Sequence, residues 1–139
     1  MIQLIVGEKG KGKTKILLDK VNAEIKNTNG TIVYLDKSSK HMYELNNKVR
    51  LIDVSAYNLE NSSEFIGFIY GILSQDNDLE QMYLDSFLKV AQTDAAAAND
   101  LIKKLNEIGK KFNVTFVISI SVNGAEIEES LKENIIAEL

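Results

Sequence analysis

The segment that most constrains this chain is Gly7-Glu8-Lys9-Gly10-Lys11-Gly12-Lys13-Thr14, which fits the pattern G-x-x-x-x-G-K-[ST] at every fixed position. It follows the apolar run IQLIV at residues 2–6. It precedes Leu17, Leu18, Val21 and Ile25, which recur at helical spacing until Asn29-Gly30 supplies a stop. The local order is therefore strand, glycine loop, helix. Glycines let successive backbone N–H groups converge without Cβ obstruction, and a helix starting at the end of the loop adds a partial positive charge. A loop of this kind wraps polyphosphate. Lys13 is expected to reach the outer phosphates and Thr14 to ligate Mg2+ through its hydroxyl. Lys9, Lys11 and Lys15 surround the loop and would raise the local concentration of an anion. The expected nucleotide-binding residues are Gly7 through Thr14 together with Lys15.

The remaining segments read as further strands and helices. TIVYLD at 31–36 is β-branched and apolar, RLIDV at 50–54 is a third strand, QMYLD at 81–85 a fourth, and 114–121 the richest in strand formers. Ser38 suits the cap of a short helix over 39–45. Asn61 with Glu64 forms a capping box opening a helix to about residue 75, apolar almost all round. Its Gly67 and Gly71 share a face, suited to close packing within the domain or against a second copy. An alanine-rich amphipathic helix spans 95–111 behind Thr93 or Asp94, and 126–139 is expected to form a closing helix with glutamates at its positive end. Five apolar strands separated by helices or short loops imply a parallel sheet between helical layers.

A length of 139 residues, with no proline and no repeat, implies a single domain over 1–139. The chain has no cysteine and one histidine, which excludes disulfides, thiolate metal sites and cysteine nucleophiles. No apolar run approaches the ~20 residues of a membrane helix, so neither membrane insertion nor secretion is expected, and the cytoplasm is the default compartment. Residues 1–50 carry 10 basic and 5 acidic side chains, against 6 and 15 in residues 51–139. A basic patch near the loop with an acidic remainder suits a small anion and argues against a broad nucleic-acid interface.

A magnesium nucleotide site needs a carboxylate at the C-terminal edge of a neighbouring strand. Asp85, after Met82-Tyr83-Leu84, and Asp36, after Ile32-Val33-Tyr34-Leu35, both meet that need. With the loop at 7–14, the strand ending Leu84-Asp85-Ser86 and the passage LNEIGKKFNVTFVISIS at 105–121, the chain resembles the P-loop NTPases of the RecA and KaiC type. The resemblance covers nearly the whole chain. It implies a three-layer α/β fold with a mainly parallel five-stranded sheet in the order 3-2-4-5-1, counted along the chain, and ATP with Mg2+ as cofactors. The family's aspartate that holds the magnesium-bound water corresponds to Asp85, followed by Ser86. The catalytic glutamate ending the family's second strand corresponds to Asp36, a shorter side chain. The family's polar sensor corresponds to Ser119 or Ser121, with Ser121 the candidate at the strand end.

The chain also resembles small ATP-binding proteins of low-GC Gram-positive bacteria labelled twitching-motility ATPases. The histidine and aspartate boxes of secretion and pilus motors have no counterpart in it. Three functions are compatible with these residues: an ATP-binding protein with slow or partner-activated hydrolysis, a nucleotide-binding adaptor without turnover, and a small-molecule phosphotransferase. The only arginine is Arg50, so any positive finger must come from a lysine, a protein partner or a second copy of the chain.

Overall fold

The computed structural model describes residues 1–139, and its elements follow from the apolar runs. They are β1 (Ile2–Val6), α1 (Lys13–Glu24), β2 (Thr31–Asp36), β3 (Arg50–Asp53), α2 (Ser62–Ser74), β4 (Leu79–Leu84), α3 (Phe87–Val90), α4 (Ala95–Phe112), β5 (Thr115–Ile120) and β6 (Ile135–Glu138). The sheet is parallel throughout, in the order β3-β2-β4-β5-β1-β6. The expected order 3-2-4-5-1 is present. The sheet has six strands rather than five, because a strand joins the free edge of β1.

Strand periodicity sorts the side chains into two layers. Leu4 and Val6 of β1, Val33 and Leu35 of β2, Met82 and Leu84 of β4, and Phe116 and Ile118 of β5 enter the larger core, with Phe65 and Ile69 of α2 and Ile102 and Leu105 of α4. Ile5, Ile32, Tyr34, Tyr83 and Val117 enter the smaller core against Leu17, Leu18 and Val21 of α1. Positions an even number of steps further along these strands project to the α1 side as well. Asp36, Asp85, Ser119 and Ser121 are such positions, so the pleat alone sends them towards the start of α1.

Local signals account for most boundaries. Asn61 accepts from the Glu64 N–H at 2.9 Å, while the Glu64 carboxylate turns back to the Glu60 N–H at 2.7 Å. Asp94, not Thr93, caps α4 by accepting from the Ala97 N–H. α2 buries Phe65, Ile66, Ile69, Ile72 and Leu73 on one side only, and Gly67 and Gly71 face solvent rather than a packed layer. The expected helix over 39–45 shrinks to one 3-10 turn at Met42–Glu44, and Ser38 closes a local turn by accepting from the Lys40 N–H.

The expected closing helix over 126–139 is absent. Residues Gly124–Glu126 and Glu129–Asn134 form 3-10 turns, and Ile135–Glu138 is β6. Its glutamates favour helix locally, but β1 presents an open edge whose backbone groups must be paired, and IIAE supplies a β-branched strand for them. The Leu139 N–H accordingly donates to the Val6 carbonyl at 2.9 Å. The turn before β6 is held to α4 by the Lys103–Glu128 ion pair at 2.6 Å and by Asn99, whose side chain accepts from the Glu128 N–H.

Candidate functional site

β1 delivers the glycine loop to the C-terminal edge of the sheet, and α1 carries it away. Gly10 and Gly12 have φ of +86° and +93°, values that a Cβ disfavours, and they bend the loop back on itself. Gly12 also stands at the N-cap of α1 and brings no side chain to it, so the first-turn N–H groups have no side-chain acceptor. The Gly7 N–H donates to the Val122 carbonyl at 2.9 Å, which fixes the root of the loop to the segment after β5.

Lys13 is 7% exposed, and its Nζ donates to the Glu8 carbonyl at 2.9 Å across the loop. Burial lowers its pKa from the usual ammonium range, and the Asp85 carboxylate opposes that shift. Thr14 Oγ1 donates to Asp85 Oδ1 at 3.2 Å, joining α1 to the end of β4.

Asp85 is 2% exposed and collects donors from four elements. Besides Thr14, Ser119 Oγ donates to its Oδ1 at 2.7 Å, the Ser86 N–H to Oδ1 at 2.8 Å, and the Tyr34 hydroxyl to Oδ2 at 2.8 Å. Burial, reinforced by this carboxylate, raises the Tyr34 pKa, so the phenol remains a donor. Tyr34 stacks on Tyr83 with ring centroids 6.2 Å apart, which locks the hydroxyl in place. Ser86 holds a left-handed backbone at φ +54°, an unfavourable conformation for serine, and it turns the Ser86 N–H onto both Asp85 and Ser119 Oγ.

Asp36 is 1% exposed. Its Oδ1 accepts from the Lys37 N–H at 2.7 Å, whereas Oδ2 is buried without any partner. Burial first, and then the Asp85 charge, raise its pKa above the ordinary carboxylate value. The folded chain thus retains a proton that the unfolded chain releases near 3.8, and folding stability falls as pH rises from there through the folded-state value. Asp36→Asn is expected to remove that slope and raise the melting temperature of nucleotide-free protein at neutral pH by a few degrees, checked by thermal scans from pH 4 to 8.

These groups line one cavity of about 440 Å³, which Leu88 alone lines with a hydrophobic side chain. Of the residues expected to bind nucleotide, Lys9, Gly10, Gly12, Lys13 and Thr14 line it. Gly7 is buried against Leu139, Glu8 and Lys11 are exposed outside the cavity, and exposed Lys15 pairs with Asp19 at 3.2 Å. Asp36 and Asp85 face the cavity from two strands. Ser119 is buried on β5, on the side of Asp85 away from Asp36, while Ser121 is exposed at the rim. Arg50 opens β3 at its opposite, N-terminal end.

The sequence reading missed Lys37, Lys40, His41 and Lys89, which also line the cavity, and the role of Tyr34 beneath Asp85. The available signal was position: Lys37 and Lys89 lie one and four residues beyond carboxylates that end or follow parallel strands. His41 pairs with Glu44 at 2.5 Å.

The donor set fits magnesium carried by phosphate. No group of three or more acidic or imidazole side chains is gathered that would hold a metal alone. The Thr14 hydroxyl and the Asp85 carboxylate are adjacent, and Mg2+ commonly takes one or two protein oxygens with the rest from water and phosphate.

No protein-family model and no curated protein matches this sequence. Solved structures do share the fold. A KaiC-like protein from the hyperthermophilic archaeon Pyrococcus horikoshii aligns at 18% identity and a TM-score of 0.62, over 95% of this chain and 66% of that one. The flagellar accessory protein FlaH from Methanocaldococcus jannaschii aligns at 14% identity and a TM-score of 0.57, over 93% of this chain and 63% of that one. The chain therefore spans slightly less than two thirds of either of these proteins, and it shares their three-layer α/β fold. No helix is long and apolar enough to cross a membrane.

Proposed function

We propose that this chain binds magnesium-ATP in the cavity at the C-terminal edge of the sheet and hydrolyses it slowly when alone. One observation carries the reading: Lys13 and Thr14 of the glycine loop face Asp85 and Asp36 of two neighbouring strands across a single polar cavity. The loop N–H groups and Lys13 bind the phosphates, and Thr14 with Asp85 holds the metal. Bound magnesium-ATP supplies the transferable phosphoryl group. Asp36, which lines the cavity and has one carboxylate oxygen without a hydrogen-bond partner, is the side chain left to orient and deprotonate an attacking water, and its raised pKa suits a base.

Slow turnover follows from charge placement. Fast phosphoryl transfer usually uses a positive finger worth ~10³ or more in rate, and Arg50 stands at the wrong end of β3. Purified protein at low concentration is expected to bind magnesium-ATP in a calorimetric titration and release phosphate well below the ~10 s⁻¹ of a median enzyme. A rate per chain that climbs with protein concentration would place the finger on a second copy, and a climb on adding another protein would place it there. Binding without any phosphate release would leave the adaptor reading.

The phosphotransferase reading draws on a second cavity of about 300 Å³ beside the first. Its polar lining is Lys37, Ser55, Asn58, Lys89 and Gln92, with no carboxylate or imidazole to take a proton from an acceptor hydroxyl. Hydrolysis therefore has the better-placed base.

A further inference from the structure

We propose that Lys37 and Lys89 act as a pair that reads the terminal phosphate, so that this chain separates a nucleoside triphosphate from a diphosphate at the binding step. This inference rests on the nucleotide-binding reading. Both lysines line the main cavity and also the second one, and so form the partition between the two. Lys37 directly follows Asp36 at the end of β2, and Lys89 lies in α3 just past Asp85. The glycine loop occupies the facing side, where its N–H groups serve the inner phosphates and Lys13 reaches outward from them, so the pair adds to Lys13 at the terminal phosphate. An outermost phosphate directed at Asp36 and Asp85 would meet two carboxylates, and Lys37 and Lys89 are the cations beside them.

The lysines carry no competing partner. All six ion pairs of the chain lie elsewhere, and none involves Lys9, Lys37, Lys40 or Lys89. Lys37 first, and then Lys9, crowd Lys89 and hold its ammonium below the usual value. No ion pair offsets their like charges, and an anion between them would do so. Lys9 belongs to the loop and lines only the main cavity, so the pair at the partition is the part that a third phosphate adds to. Lysine is a point charge on a flexible stem and needs no fixed fork geometry to serve this way. A contact made already in the ground state tightens binding without accelerating the chemical step, in keeping with slow turnover.

The test is calorimetric titration of the full chain with ATP and ADP, each with magnesium, and with inorganic tripolyphosphate and pyrophosphate as probes lacking base and sugar. The variants are Lys37→Ala, Lys89→Ala, the double alanine and the double arginine. Both side chains are exposed, so thermal scans should be unchanged. The double alanine is expected to weaken ATP and tripolyphosphate by about tenfold or more and ADP and pyrophosphate by less than about threefold, with the double arginine restoring the difference. Equal weakening of all four ligands would reduce the lysines to general attraction and overturn the proposal, as would an unchanged ATP-to-ADP ratio. If wild type binds tripolyphosphate over pyrophosphate through these lysines but binds no ATP, the phosphate reader stands and the nucleotide reading falls. Wild type that binds none of the four overturns both.

Discussion

Lys13→Ala is expected to weaken magnesium-ATP binding by at least about tenfold, equivalent to ~1.4 kcal/mol, with the fold intact. The loop backbone survives the substitution, since Gly10 and Gly12 set its shape and Gly7 remains tied to Val122. What disappears is an ammonium already stripped of most of its water, 7% exposed and satisfied by the Glu8 carbonyl. Its desolvation has been met during folding, so contact with phosphate forms without that further cost, which places it among the stronger charge-assisted bonds. Melting temperature should change little, because alanine removes a buried charge and leaves only a loop carbonyl that water can reach. Calorimetry on the variant and wild type decides the matter. An unchanged dissociation constant would remove the nucleotide reading altogether.

Asp85 is expected to show the largest combined effect on stability and metal dependence. Its two oxygens accept from Thr14, Ser119, Tyr34 and the Ser86 N–H, in a position 2% exposed. Asp85→Ala takes the acceptor from three hydroxyls, while the Ser86 N–H keeps Ser119 Oγ, and unsatisfied buried polar groups cost about 1–3 kcal/mol each before relaxation. We expect a loss of about 3 kcal/mol or more in urea unfolding. Asp85→Asn keeps the shape and two hydrogen-bonding atoms, and hydroxyls can rotate to accept from the new amide, so it should lose about 1 kcal/mol. Both variants should bind ATP no more tightly with magnesium than without it. An asparagine variant that retained the full magnesium effect would leave Thr14 as the sole protein ligand and remove Asp85 from the metal site.

Much of this arrangement is legible residue by residue. The octapeptide at 7–14 is a local object: its glycines fix the turn and its position between a strand and a helix fixes its direction, so the loop can be recognised before any packing is known. Asp36 and Asp85 are legible for a related reason. Each ends an apolar run, parallel strands present their C-terminal ends to the ligand side, and the two-residue pleat sets the face. The β3-β2-β4-β5-β1 order came from a resemblance, since the pleat carries no information about which strand lies beside which.

Other features depend on what lies far away in the chain. Ser119 meets Asp85 only because β5 packs beside β4, with Leu84 opposite Ile118. Ser121, two residues on, has left the sheet and is exposed, a distinction invisible in two serines of equal periodicity. Lys37 and Lys89 come together because β2 and β4 are neighbours, although 52 positions separate them in the sequence. The segment 126–139 shows the same limit in the opposite sense. Its glutamates argue for helix through interactions a few residues long, and the open edge of β1 outweighs them with backbone hydrogen bonds to residues at the other end of the chain. Loop shape, strand direction and side-chain face were thus determined by local backbone stereochemistry. Strand adjacency, the partner of each buried carboxylate and the fate of the last segment were decided by tertiary contacts, because only there do distant backbone and polar groups compete for the same partners.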